Sequence, residues 1–238
     1  MKRVAISQPN YIPWKGYFDI IHAVDVFVVL DDVQYTQRDW RNRNRIKLAS
    51  GASSWLTVPT LGGRNQAIHE VLVDRGQDWA RKHAEALRHS YARTPFFARY
   101  HSRFVEIVSS GHERLVDLDI ALMVQVCEWL GFERKLYRSS ELGGIGAKDV
   151  RLLDLIAKVE GDFYLSAPAA RDYIVPQRFA DAGVALAYHD YSGYPEYPQV
   201  GEPFDHYVTV LDLLFAVGPD APDYVWGSRR ARPIPVRE

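Results

Sequence analysis

Short apolar runs alternate with polar loops at the start of the chain. Residues 4–6 and 26–30 are continuous apolar runs rich in β-branched side chains, which is typical of strands buried on both faces of a sheet. Between them lie a loop dense in amides and aromatic rings, residues 7–14, and a run with helical spacing. This order predicts strand, loop, helix, strand, and places the loop at the carboxyl end of a strand, where open α/β sheets bind ligands.

The following segment predicts a hairpin and a further strand. Residues 45–48, Arg-Ile-Lys-Leu, and 55–59, Trp-Leu-Thr-Val-Pro, flank a turn-forming Ser-Gly-Ala-Ser sequence at 50–53, which favours a β-hairpin. Alternation of valines predicts another strand at residues 68–73.

The middle of the chain changes to a helical period. Trp79, His83, Leu87 and Tyr91 recur at every fourth position and predict one amphipathic helix. A second helix is predicted from Pro95 to residue 108, and a third over residues 113–130, before a glycine. We expect these three helices to form an insertion or cap.

The last third returns to alternating strands and helices. Strands are predicted at residues 135–138, 163–166 and 184–188, with helices at 149–159 and 169–182 between them. A final helix at 208–217 precedes a loose tail. Successive βαβ units predict an α/β protein with an open, mainly parallel sheet of the Rossmann-like, nucleotide-binding type and a helical insertion.

The same pattern predicts three segments. Residues 1–76 form the first part of the α/β domain, with an arginine-rich loop and the hairpin. Residues 77–131 form the helical insertion. Residues 132–238 complete the α/β domain and include the tail.

Composition narrows the class of protein. The 238 residues are 47% hydrophobic, enough for a substantial core, and 29 basic against 30 acidic side chains give a net charge of −1. This balance excludes a global charge that would attract nucleic acid or an acidic membrane. A single cysteine excludes an internal disulfide, and no apolar run approaches the length of a membrane span. The first apolar run is far too short for a signal peptide, so we expect none. We therefore expect a cytoplasmic protein with no membrane association.

Two adjacent carboxylates, Asp31 and Asp32, follow the second strand. They could bind Mg²⁺ or accept a proton from an attacking amine. Because successive side chains of a strand point to opposite sides, only one of the two can face the cleft, and we favour Asp32. An equally weighted interpretation is that an aspartate here caps the following loop.

The loop after these carboxylates is rich in arginine. Arg43 and Arg45 alternate with Asn44, so an extended backbone would place both guanidinium groups on one face, suited to phosphate or carboxylate. The neighbouring Gln34 and Trp40 favour a pocket, whereas composition alone favours a solvated loop.

Further candidates lie on the helical stripe and at strand ends. His83 is a candidate base, although a hydrogen-bonded core histidine is the more common role. Ser140 and Ser166 lie at the ends of two predicted parallel strands, facing the same edge as Asp32 if the strands are neighbours. The histidines and the lone Cys127 show no metal-binding spacing, so no metal site is predicted.

Together these motifs carry a family resemblance along nearly the whole chain. The sequence resembles the WbqC-like protein family at Gln8-Pro9-Asn10-Tyr11-Ile12-Pro13-Trp14, Gly16-Tyr17-Phe18, Leu30-Asp31-Asp32-Val33-Gln34-Tyr35, Asn42-Arg43-Asn44, Leu56-Thr57-Val58-Pro59, Lys82-His83, Tyr91, Pro95-Phe96-Phe97, Leu130-Gly131, Ser139-Ser140, Tyr164-Leu165-Ser166, Tyr197, Gln199 and Asp212-Leu213-Leu214. The family usually has histidine before this Gln-Pro-Asn-Tyr run, where this chain has Ser7.

The resemblance implies a bacterial protein of surface-polysaccharide or amino-sugar metabolism. It implies attachment of an aminoacyl or acyl group to the amine of an amino sugar, carried on a nucleotide. ATP with Mg²⁺, a tRNA or a carrier protein are candidate sources of the acyl group. The alternatives are a non-catalytic sugar-nucleotide-binding or scaffold protein, and an amide hydrolase.

We assign candidate roles on this basis. Asp32 or His83 would deprotonate the amine. Aromatic rings, amides, hydroxyls and the two arginines would bind the sugar and its phosphate; these substrate-binding candidates are Gln8, Asn10, Tyr11, Trp14, Gln34, Arg43, Asn44, Arg45, Ser140, Ser166 and Gln199.

Overall fold

Ten strands and eight α-helices make up the described chain. The computed structural model describes residues 1–63 and 65–227 and the backbone of residues 234–235. The strands are β1 (Arg3–Ser7), β2 (Val26–Val29), β3 (Arg43–Lys47), β4 (Ser53–Thr57), β5 (Thr60–Leu61), β6 (Leu72–Val73), β7 (Lys135–Arg138), β8 (Phe163–Ser166), β9 (Ala185–Tyr188) and β10 (Ile234–Pro235). The helices are α1 (Lys15–His22), α2 (Trp79–Tyr91), α3 (Phe97–Ser109), α4 (Leu115–Trp129), α5 (Ser139–Leu142), α6 (Lys148–Lys158), α7 (Pro176–Asp181) and α8 (Val210–Val217).

The central sheet is open and mainly parallel, which confirms the predicted fold class. Its strands lie in the order β10-β9-β8-β1-β2-β7, and only β10 is antiparallel to its neighbour. The chain moves outward from β1 through β2 to β7, and then crosses back to β8 and β9. The strand order therefore reverses between β1 and β8, and in open α/β sheets ligands bind in the crevice beyond the carboxyl ends at such a switch point.

Each sheet face packs against helices because side chains alternate along the strands. Phe27 and Val29 of β2 join a large apolar cluster that contains residues of α1, α2, α3, α4 and α8. Val26 and Val28 face the opposite side and pack with α6 and α7. Because both faces of the sheet are buried, the sequences of β1 and β2 are almost continuously apolar.

The hairpin and the three middle helices form where the sequence predicts them. β3 pairs antiparallel with β4, with Arg45 opposite Trp55. Phe27, Leu87 and Phe215, one from each predicted segment, belong to the same apolar cluster. The division into three segments stays a prediction.

Three local expectations are wrong. Residues 68–70 form a 3₁₀ turn, closed by the Glu70 carboxylate accepting from the backbone N–H of Ala67 at 2.9 Å, so only Leu72–Val73 is strand. The expected helix at 169–182 is divided into a 3₁₀ turn at Pro168–Asp172 and α7, because Pro176 disfavours helical geometry at the preceding residue.

The third concerns the expected loose tail. It begins with a 3₁₀ helix, Gly218–Tyr224, that buries Ala221. The remainder of that expectation, residues 228–233 and 236–238, lies outside the described residues. No helix in the described part of the chain combines the length and apolar character that a bilayer span needs.

Candidate functional site

The loop after β1 is held in place by polar contacts at the carboxyl edge of the sheet. The Gln8 side-chain oxygen accepts from Arg41 Nε at 2.6 Å and from Arg41 Nη2, and Arg41 in turn donates to Asp39 at 2.8 Å. The buried Asn44 amide donates to the backbone oxygens of Tyr11 at 3.1 Å and Ile12 at 2.9 Å. These bonds fix the loop against β3, so Gln8 and Asn44 act first as structural anchors.

A pocket of about 280 Å³ lies beside this loop. Three aromatic rings, two amides and one proline line it: Asn10, Pro13, Trp14, Trp40, Asn44 and Tyr207. Its volume is close to the lower end of the range for small-molecule sites, roughly 300 Å³. The Asn10 side-chain oxygen is buried beside the pocket, and no described residue donates a hydrogen bond to it.

Trp14 is positioned by the residue that follows the start of α1. A Cβ atom on Gly16 would lie 2.3 Å from the Trp14 ring, so only glycine lets that ring lie flat over the first turn of the helix. The Trp14 ring also packs on Tyr207, with centroids 5.1 Å apart. The sequence therefore makes one wall of the pocket with a Trp-x-Gly spacing.

A basic and aromatic rim borders the pocket. Arg43 and Arg45 share one face of β3, as alternation predicts, and the Arg43 guanidinium lies 4.1 Å from the centroid of the exposed Trp55 ring. Trp55 packs on Trp40 of the pocket at 5.4 Å. Arg45 donates to the Tyr207 backbone oxygen at 3.1 Å and lies 3.5 Å from Asp205.

Arg43 is the less engaged of the two cations. Within the part of the chain that the structure describes, no carboxylate lies within 4.0 Å of its guanidinium, and its Nε is buried without a partner. A guanidinium stacked on a ring, with no described carboxylate within ion-pair distance, suits phosphate or carboxylate.

Asp31 and Asp32 are tied into a network beside β7. Asp31 is fully buried and accepts from Arg138 Nε at 2.7 Å, from the Ser140 hydroxyl at 2.9 Å and from the Ser140 backbone N–H at 2.9 Å. Asp32 accepts from the Ser139 hydroxyl at 2.6 Å and pairs with Arg151 of α6. Asp32 is the more exposed carboxylate of the two, and neither Asp32 nor Ser140 lines the pocket.

His83 is a buried, fully bonded side chain. Its Nδ1 accepts from the Tyr11 hydroxyl at 2.8 Å, and its Nε2 donates to the Thr57 backbone oxygen at 3.2 Å. Burial lowers the pKa of His83 to about 4. In this arrangement neither ring nitrogen of His83 is available to a substrate, and the buried Tyr11 ring is packed in the core.

The remaining candidates lie away from the pocket lining. Gln199 donates to Asp212 at 2.8 Å and to the Asp205 backbone oxygen at 3.0 Å, which closes the loop before α8. Ser166 is buried at the end of β8, and Gln34 is exposed with its backbone paired to Ala67. The structure thus brings together Asn10, Trp14 and Asn44, with Arg43 and Arg45 at the rim.

Sequence reasoning missed three buried polar groups near the loop. Asp19 of α1 accepts from His189 Nε2 at 2.9 Å, immediately after β9. Asp119 of α4 is buried with both carboxyl oxygens lacking a hydrogen bond, and burial raises its pKa well above the ordinary value, opposed by the charge of Arg41. An aspartate on an otherwise apolar helix stripe was the signal available for Asp119. In the described residues, no cluster of three or more histidine, cysteine, aspartate or glutamate side chains could hold a metal ion.

Fold and pocket define an open α/β protein with an aromatic pocket at the carboxyl edge of its sheet. A profile of the WbqC-like protein family matches residues 8–224, and the chain belongs to that family. An uncharacterized protein of Mycobacterium tuberculosis (strain ATCC 25618 / H37Rv), Rv1507c, is 42% identical over 228 residues, covering 94% of this chain and 98% of the relative. No solved structure matches the chain.

Proposed function

We propose that the chain is an N-acyl or N-aminoacyl transferase acting on the amine of an amino sugar, with the sugar carried on a nucleotide. The chemistry of transfer follows from the family resemblance. The observation that carries the proposal is the pocket itself, where aromatic rings lie beside the Asn10 amide, whose buried oxygen accepts no hydrogen bond from the described residues.

The pocket suits a sugar ring. The apolar faces of a pyranose pack on the rings of Trp14, Trp40 and Tyr207, and its hydroxyl or amine N–H groups find an acceptor in Asn10. A buried acceptor without a partner costs about 1–3 kcal/mol, which a ligand donor would recover. We therefore expect the pocket to select a sugar that carries a hydrogen-bond donor next to Asn10.

The rim suits the nucleotide. Arg43, stacked on Trp55, presents its charge next to the pocket wall formed by Trp40. A diphosphate extending from the sugar would meet this guanidinium first, and the exposed Trp55 ring is a surface on which a base can stack.

The test is a coupled reaction read by mass spectrometry. Purified protein is incubated with a nucleoside-diphosphate 4-amino sugar, glycine, ATP and Mg²⁺, with and without charged tRNA. A product heavier by one aminoacyl unit is expected. Trp40→Ala should weaken binding of the sugar nucleotide about tenfold or more, whereas Tyr173→Ala, an aromatic of matching exposure before α7 (42% against 40%), should not.

One observation favours a second function, binding of the sugar nucleotide without turnover. None of the six side chains that line the pocket is a carboxylate, a histidine or a lysine, so the lining itself has no group that takes a proton at neutral pH. Saturable binding with no change of mass under every donor condition would replace the transferase by this binding function.

A further inference from the structure

We infer that His189, held by Asp19, is the general base that removes the proton from the substrate amine. This inference rests on the proposed transfer to an amine. It assigns the proton-accepting group that the pocket lining lacks.

The hydrogen bond to Asp19 determines which nitrogen of a neutral His189 ring carries the proton. Its Nε2 lies 2.9 Å from Asp19 Oδ2, which also accepts from the Tyr194 hydroxyl at 2.7 Å. A carboxylate can only accept, so the proton of a neutral His189 sits on Nε2 and the lone pair sits on Nδ1. Among the described residues the ring is held through Nε2, and His189 as a whole is 5% exposed. An imidazole oriented by a carboxylate, with the lone pair on its other nitrogen, is the arrangement that a general base needs.

The position of His189 fits the same role. It directly follows β9, and its backbone N–H donates to the Ser166 oxygen at the end of β8 with a distance of 2.8 Å. It therefore stands at the carboxyl edge of the sheet, next to the switch point between β8 and β1. Asp19 reaches it from α1, the helix that follows the ligand-facing loop.

Aromatic rings join this pair to the pocket. The His189 ring lies 4.7 Å from Tyr191, and Tyr191 lies 5.3 Å from Trp14, which lines the pocket. With the sugar in the pocket and its nucleotide directed toward Arg43, a sugar whose amino group faces the Trp14 and Tyr191 side of the pocket turns that amine toward Nδ1.

The step balances as an acyl transfer. The neutral amine nitrogen attacks the carbonyl carbon of an activated acyl ester or acyl phosphate, and Nδ1 takes the proton as the C–N bond forms. The C–O bond to the leaving group breaks, its oxygen keeps the electron pair, and the imidazolium returns the proton to that oxygen. Asp19 stabilises the imidazolium and holds the tautomer, so it is a positioning residue.

The first measurement does not depend on turnover. Wild-type protein labelled with ¹⁵N-histidine is titrated with a nucleoside-diphosphate 4-amino sugar, and the His189 signals are assigned with His189→Gln. The expected result is a ligand-induced shift of the Nδ1 resonance, with Nε2 remaining protonated. A saturated complex with no change at Nδ1 overturns the inference and leaves the proposed transfer intact.

The second measurement uses the coupled reaction. His189→Gln should lower kcat about 10²-fold or more with little change in KM for the amino sugar, and imidazole should partly restore the rate of His189→Ala. Asp19→Asn should lower kcat through the wrong tautomer and alter the pH profile. His101→Gln is the matched control, because His101 also makes one side-chain hydrogen bond, at 3.0 Å to the Ala84 oxygen, but lies on the helical insertion.

The outcomes separate the two claims. Product formation by His189→Gln at the wild-type rate overturns the inference alone. A wild-type chain that binds the amino sugar and yields no product under any donor condition overturns the transferase function, and with it the role of His189 as a base. Where a variant fails to fold, the wild-type titration decides.

Discussion

At the scale of single residues, the carboxylates of this chain differ more by environment than by position in the sequence. Asp31 accepts hydrogen bonds from Arg138 and from two donors of Ser140, whereas no described residue donates to the similarly buried carboxylate of Asp119. Burial without a partner favours the protonated form, and the pKa of Asp119 is accordingly raised.

Asp119→Asn should stabilise the protein at neutral pH. With the folded pKa above the unfolded one, the folded chain binds more protons, so wild-type stability falls as pH rises from the ordinary carboxyl value of about 4 toward the folded value. An asparagine at position 119 does not ionise, so the variant does not lose this stability as pH rises. Urea unfolding of both proteins across pH 4–8 should give curves that diverge as pH rises, by about 1–3 kcal/mol at the upper end.

Asp25→Asn is the control, because its effect on stability should change with pH in the opposite direction. Arg3 lowers the pKa of Asp25, so its contribution is present above the ordinary carboxyl pKa and lost in acid. That variant should lose stability at neutral pH and approach the wild type as pH falls. Parallel wild-type and Asp119→Asn curves would show that Asp119 finds a partner in solution.

At the scale of elements, the hairpin of β3 and β4 supports the ligand-facing loop. Asn44 points inward from β3 and bonds the backbone of Tyr11, Ile12 and Arg45, while Arg43 and Arg45 point to the other face beside Trp55. One strand thus supplies both the anchor of the loop and the charged rim, through simple alternation of side chains.

Asn44→Ala should destabilise the protein by about 2–4 kcal/mol, because two buried carbonyl groups lose their donor. Asn42→Ala, two residues earlier on the same hairpin, removes one bond to the Val58 oxygen at 3.0 Å and should cost about half as much. Chemical denaturation measures both. Equal losses would show that the loop is held by packing rather than by Asn44.

The sequence predicts this element well, and the pocket only in part. The Ser-Gly-Ala-Ser turn and the stretches that flank it locate the hairpin, and alternation places Arg43 and Arg45 on one face. Tyr207 reaches the pocket from far along the chain, and Asp19 meets His189 across 170 positions, so no local pattern reveals either contact. Histidine is a common catalytic base, so the sequence makes His83 a candidate. The two hydrogen bonds that occupy its ring nitrogens join it to residues distant in the sequence, and only the structure shows them.

At the scale of the whole molecule, the helical insertion and the sheet share their apolar core. Phe27 of the sheet, Leu87 and Leu118 of the insertion, and Phe215 of α8 belong to one cluster. Asp212 of α8 adds polar links, accepting from the hydroxyls of Tyr91 in α2 and Tyr197, at 2.8 and 2.7 Å.

We expect one cooperative unfolding transition. Far-UV circular dichroism, which reports the helices, and near-UV circular dichroism, which reports the packed aromatics, should have the same midpoint in urea. Two separate midpoints would show that residues 77–131 unfold independently. Asp212→Ala should shift both signals together, since the shared core couples them.

The pocket also has an optical property. Two of the six tryptophans in the chain, Trp14 and Trp40, line it, and Trp14 is in contact with three tyrosine rings. A ligand that displaces water from these indoles changes their emission without any label. The unmodified protein therefore reports its own occupancy, and a panel of sugars, nucleotides and acyl donors can be ranked by fluorescence titration.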